Sequence, residues 1–200
     1  MAFCFYISPM HTNFIDSKTF QNKNYTSSIL PKGEYNTCTF RNCNFENSDI
    51  SNILFLECEF IECNLSNVNV THTQFKDVEF NQCKLVGIQF QNSNDYLRIF
   101  HFKDSILDVS SFMGIKIDGT NFDSCKLKGV DFSDAQVKKV IFKNCDLQGA
   151  IFNNSNLEQA DFISAYNFNI LPPNNNLKKA LFSKDNLSGL LHSAGIIIKS

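Results

Sequence analysis

The sequence predicts an all-β solenoid with four sides to each coil. Two observations carry this reading: a large apolar or aromatic residue at every fifth position over most of the chain, and recurrence of like side chains every twenty residues within that ladder. Composition agrees with a repeated local unit, because 200 residues include 21 Phe and 25 Asn but only 8 Gly, 4 Pro and no Trp. A chain that is 43% hydrophobic and 19% charged can bury one substantial core and is too apolar to be disordered. Its net charge of -2 excludes a general nucleic-acid binder.

The first ladder runs Phe20, Tyr25, Leu30, Tyr35, Phe40, Phe45, Ile50, Phe55, Phe60, Leu65, Val70, Phe75, Phe80, Leu85 and Phe90. A second follows at Phe102, Leu107, Phe112, Ile117, Phe122, Leu127, Phe132, Val137, Phe142, Leu147, Phe152, Leu157 and Phe162. Phe90 and Phe102 are twelve apart, so two residues are inserted between the ladders. Two positions before most rungs lies a smaller residue, as in Cys38, Cys43, Cys58, Cys63, Cys83, Thr120, Cys125, Ala135, Cys145 and Ala160. A separation of two places both side chains on one side of an extended segment, and the remaining residues form a corner. Neither a helical period nor a long alternating strand fits. Phe20, Phe40, Phe60 and Phe80, continued by Phe102, Phe122, Phe142, Phe162 and Phe182, make one stacked column, so four fives close a coil. At an inter-strand spacing of about 4.8 Å, nine such residues predict a rod on the order of 40 Å long.

The stretches Cys43-Asn44-Phe45-Glu46-Asn47, Cys63-Asn64-Leu65-Ser66-Asn67, Cys125-Lys126-Leu127-Lys128-Gly129 and Ala160-Asp161-Phe162 resemble the pentapeptide-repeat proteins. That resemblance covers roughly residues 20–182 and implies a right-handed quadrilateral β-helix. Similarity to the Qnr- and MfpA-type members, which interact with gyrase, implies a non-enzymatic protein that mimics DNA and modulates or protects a type II topoisomerase. The other function that the family implies is a scaffold or interaction module with an unrelated partner.

The ends need caps, since a solenoid leaves backbone edges unpaired. Residues 1–19 are a candidate N-terminal cap, 20–182 the repeat and 183–200 a C-terminal cap. Pro172-Pro173-Asn174-Asn175-Asn176 predicts a turn-rich excursion before Leu177 and Phe182 recover the register. Ser183 is a candidate N-cap for a short helix bearing Leu187, Leu190 and Leu191, which Gly195 would end, and Ile196, Ile197 and Ile198 read as a strand. By the resemblance these six apolar residues would form a homodimer interface. The insertion near 93–98 presents Asp95, Tyr96 and Arg98 either as a tolerated bulge or as a contact loop.

The N-terminal residues show neither a basic stretch nor a small-residue cleavage site, and no apolar run approaches the roughly 20 residues that a membrane-spanning helix needs, so a cytoplasmic location is expected. Seven of the 8 cysteines hold the small inward position and read as reduced core thiols, with Cys4 outside the pattern. His11, His72, His101 and His192 have no partners at a catalytic spacing, and no metal or cofactor motif is present. Charge is more informative. From Asn42 to Leu97, eight acidic residues face two basic ones, a local net of -6. Glu57 and Asp77 are twenty apart, as are Glu59 and Glu79, so each pair is expected to stack on adjacent coils with Glu62 nearby. The same columns continue into Gly119 and Lys139, then Asn121 and Ile141, which ends the acidic strip. Glu57, Glu59, Glu62, Asp77 and Glu79, with Asp95, Tyr96 and Arg98, are therefore the candidate partner-binding residues; an ordinary solvated acidic face is the other reading.

Overall fold

A computed structural model describes residues 13–96, 98–192 and Ile196. The chain coils as the five-residue period requires. Strands β1 (Phe14–Asp16), β3 (Glu34–Asn36), β5 (Leu54–Leu56) and β7 (Gln74–Lys76) stack in parallel as a four-stranded sheet. Strands β2 (Thr19–Gln21), β4 (Thr39–Arg41), β6 (Glu59–Ile61), β8 (Val78–Asn81), β9 (Phe100–Lys103), β10 (Asn121–Asp123) and β11 (Ile141–Lys143) build a seven-stranded sheet on the adjoining side. Single parallel bridges such as Asn44↔Asn64, Gln89↔Ser111 and Gln136↔Asn156 extend the ladder on the other sides and through the later coils. Register follows sequence spacing: Phe40 lies beside Phe60 and Phe60 beside Phe80, while across the insertion Phe80 meets Phe102.

The core is a set of columns. Nine phenylalanines from Phe20 to Phe182 stack ring on ring with steps of 4.8–5.3 Å. Rings on adjoining sides meet edge-on, as Phe112 and Phe122 do at 5.9 Å. The offset and edge-to-face arrangements are those that the ring quadrupole favours. The small inward residues also have a polar reason to be there. Cys58, Cys63 and Cys83 donate from Sγ to the carbonyls of Tyr35, Phe40 and Phe60 on the preceding coil, and Thr73 and Ser155 do the same through hydroxyls to Ile50 and Phe132. All seven patterned thiols are buried and free of disulfides. Burial pushes the Cys58 thiol up to about 12 and the Cys43 thiol in the same direction, as desolvation of a thiolate requires. Cys4 lies outside the described residues.

The corners explain the asparagines. Nearly every residue two places after a rung is left-handed, with φ from +47° to +61° at 22 non-glycine positions, eight of them Asn. Asn pays the smallest penalty there after Gly. Asn also precedes rungs, where Asn44, Asn64, Asn69 and Asn156 accept the backbone N–H two residues on.

The solenoid starts earlier than the rung at Phe20. Residues 14–16, placed by sequence spacing in a cap, form β1, whose Ile15 lies beside Tyr35. At the insertion the four-stranded sheet stops at β7, and Leu97, five residues before Phe102, lies outside the described residues. Phe100 lies two residues before Phe102, where other coils carry a small residue, is fully buried and meets the edges of Phe75 and Phe112. At the C-terminal end, Pro172–Asn174 is a tight 3-10 turn, and a second covers Lys184–Asn186. The helix α1 is only Ser188–Leu191, and Ser183 makes no side-chain cap. The end of the core is closed instead by Asn186, whose amide donates to the carbonyls of Phe162 and Ala165, and by Gly189 pressed on the Phe168 ring with no room for a Cβ. No helix among the described residues is long and apolar enough to cross a membrane.

Candidate interaction surface

The acidic residues sit where the coil geometry puts them. Glu59 in β6 lies directly beside Glu79 in β8, and both point outward because they flank inward-facing Phe60 and Phe80. Glu57, Asp77 and Glu62 occupy left-handed corner positions at φ of 51°, 55° and 54°, which turns their side chains away from the core. The Glu57 amide donates to the Lys76 carbonyl, locking Glu57 one coil from Asp77. Four carboxylates thus cluster on one edge at a spacing of about 5 Å, with Glu62 across the sheet. Among the described residues none of the five lies within ion-pair distance of a Lys or Arg. Some carboxylates elsewhere on the rod have partners on neighbouring coils: Lys143 holds Asp123 at 2.8 Å and Lys128 holds Asp146 at 3.4 Å.

The strip ends as its columns predict. Glu79 is followed in register by His101, whose Nδ1 accepts the backbone N–H of Asn121 at 3.3 Å. Glu79, His101, Lys103, Asn121 and Asp123 line a shallow open groove of about 300 Å³ there. Among the described residues no three His, Cys, Asp or Glu side chains converge as metal ligands.

The insertion divides its candidates. Tyr96 is exposed, with the Lys76 ammonium 4.9 Å from its ring centre, and Asp95 faces solvent. Arg98, expected to project beside Tyr96, folds back and donates to the Ser93 hydroxyl at 3.2 Å and carbonyl at 2.9 Å. Burial there lowers its pKa, against the attraction of Asp95. At the C-terminal end Leu187, Leu191 and Ile196 are exposed and Leu190 packs partly on the core. Ile197 and Ile198 lie outside the described residues, as does Gly195. Sequence spacing also missed exposed Ile141, Ile163 and Leu181, which share the later coils of the seven-stranded side.

Among solved structures, two trypsin-treated variants of QnrB1, a plasmid-mediated fluoroquinolone resistance protein, are similar in fold. The first has a TM-score of 0.61 at 14% identity, covering 91% of this chain and 99% of that one. The second has a TM-score of 0.61 at 14% identity, with 92% and 97% covered. HetL from Nostoc sp. strain PCC 7120, a pentapeptide-repeat protein involved in heterocyst differentiation regulation, has a TM-score of 0.45 at 15% identity with 94% of each chain covered. No curated protein matches the sequence. The pentapeptide repeat region, as a family, matches residues 34–95 and 96–162, in phase with the coils described above, and the chain therefore belongs to the pentapeptide-repeat family.

Proposed function

We propose that this pentapeptide-repeat scaffold works without catalysis, by binding a protein, and that the partner is a cytoplasmic type II topoisomerase whose cationic DNA-binding surface meets the acidic edge. The observation that supports this is the ladder Glu57, Asp77, Glu59 and Glu79, carboxylates on adjacent coils that make no ion pair among the described residues. Like charges held this close repel one another, and a basic partner relieves that repulsion as it binds. Tyr96, whose ring lies by Lys76 next to Asp77, and Asp95, beside the adjoining corner at His72, would extend the contact, with Arg98 shaping the loop from within. Two rods would join through Leu187, Leu190, Leu191 and the isoleucines from Ile196 to Ile198, doubling the length of the acidic surface.

A second reading, a scaffold for an unrelated partner, is favoured by the end of the acidic columns at His101 and Gly119. A gyrase supercoiling assay with and without ciprofloxacin separates the two. Inhibition or drug protection is expected from the natural protein and not from folded Glu57→Lys/Glu59→Lys/Asp77→Lys/Glu79→Lys. No effect of the natural protein at any concentration removes the topoisomerase.

A further inference from the structure

The first coil leaves the N-terminal end of the core open. Ile15, Phe20 and Tyr25 are only partly buried, whereas Tyr35, Phe40 and Phe45 one coil on are covered almost completely. Phe20 stacks on Phe40 at 4.9 Å and Tyr25 on Phe45 at 4.6 Å, and among the described residues no ring stacks on their other faces. With Ile15, Leu30 and Tyr35 they line a groove of about 540 Å³, and Asn13, where the described chain begins, lies on its wall. The backbone ladder is open at the same place. The N–H of the residue before a rung donates to the carbonyl 21 residues earlier, as Glu34 does to Asn13, Asn44 to Lys23, Asn64 to Cys43 and Asn69 to Ser48. By that register the N–H groups of Asn24 and Ile29 belong to the carbonyls of Phe3 and Ser8, and among the described residues they have no other acceptor.

The sequence that leads into Asn13 fits this groove in register. Phe5 and Met10 carry the five-residue ladder back from Ile15, each twenty residues ahead of a rung, Tyr25 and Leu30. Ser8 falls in the small inward column of Ser28 and Ser48. Phe3 stands two residues before Phe5 as buried Phe100 stands before Phe102, a ring in the small place. Pro9 occupies the position whose N–H would reach one coil further out, so with this segment outermost its missing donor costs nothing and leaves less edge to pair. We infer that residues 3–12 of the chain itself occupy the groove as a further half coil, with Phe5 on Tyr25, Met10 on Leu30 and Phe3 across Phe20. The segment then buries the end of the aromatic columns and accepts the two open N–H groups. An uncovered parallel edge is a template for pairing with another chain, so this end is closed to a second copy. None of this depends on the topoisomerase.

Hydrogen exchange read by mass spectrometry on the full chain tests the register, with two variants, Phe5→Asp/Met10→Asp on the inward positions and Tyr6→Asp/His11→Asp on the outward ones. Both leave the coils from Tyr35 onward untouched, and far-UV circular dichroism checks that they fold. In the natural protein the amides of residues 4–8, with those of Asn24 and Ile29, are expected to exchange at least about tenfold more slowly than in the inward variant, and residues 4–8 at least about tenfold more slowly than in a synthetic peptide of residues 1–12. The outward variant should keep that protection to within about twofold. Residues 4–8 that exchange in the natural protein as fast as in the peptide overturn the inference. So does an equal loss of protection in the two variants, which removes the inward and outward alternation, or protection that grows with protein concentration, which would put a second copy in the groove instead.

Discussion

Stacking should make a residue in the middle of an aromatic column worth more than the same residue at its end. Phe122 is fully buried, with Phe102 and Phe142 stacked on its two faces at 5.0 and 5.3 Å and the edges of Phe112 and Phe132 at its sides. Phe182, in the last coil, is partly exposed and has one stacked neighbour, Phe162, at 5.1 Å. Phe-to-Ala substitution in a closed core costs about 3–5 kcal/mol, and a site unable to collapse lies at the upper end. The coils on both sides are pinned by backbone ladders, so Phe122→Ala should cost about 5 kcal/mol and Phe182→Ala about 2 kcal/mol. With a urea dependence near about 2 kcal/mol/M, the unfolding midpoints should fall by about 2.5 M and about 1 M. Equilibrium unfolding followed by far-UV circular dichroism reads both variants on one scale. Equal shifts, or a loss below about 2 kcal/mol for Phe122→Ala, would refute the claim that cohesion runs along the columns.

Three smaller effects follow from particular side chains. The Ser110 hydroxyl is buried without a hydrogen-bond partner among the described residues, so Ser110→Ala should stabilise by about 1 kcal/mol, while Ser93→Ala, which removes a 2.6 Å bond to the Phe90 carbonyl, should destabilise by a similar amount in thermal unfolding. Val109 is β-branched at φ +52°, in a column otherwise held by Asn47, Asn67, Gly87, Gly129 and Gly149, so Val109→Gly should raise the melting temperature, a gain of about 1 kcal/mol after the entropy of the unfolded chain is counted. Burial alone would raise the Asp146 carboxyl, but the Asn167 amide, the Gln148 N–H and Lys128 together hold it below the ordinary carboxylate range. Its contribution is therefore present at neutral pH and lost as the carboxylate protonates, so Asp146→Asn should flatten the fall in melting temperature between about pH 5 and pH 2.

The fold was legible because each contact in a solenoid repeats at a fixed sequence distance. The rungs, their inward companions and the stacking of Glu59 on Glu79 all follow from counting. Counting fails where the count itself changes. Phe100 enters the core beside the insertion, and the signal for it was an oversized residue two places before Phe102. Ile15 carried the same period one step before Phe20 and marks the earlier start. The inward fold of Arg98 left no trace in spacing, because it depends on the Ser93 carbonyl beside the bulge. The asparagines showed that a unit was repeated; their two uses, accepting an amide before the rung and turning left-handed after it, required the backbone angles. The acidic edge was legible as a set of columns, but its lack of ion pairs among the described residues was a matter of side-chain placement.

Displacement of a labelled DNA duplex from gyrase by the purified rod tests the central claim most directly, because DNA and the acidic edge are held to occupy the same surface. The account predicts displacement that saturates with the natural protein, weakens as salt rises, and disappears in Glu57→Lys/Glu59→Lys/Asp77→Lys/Glu79→Lys. DNA that stays bound at every concentration of the rod, or displacement unchanged in that variant, would contradict it.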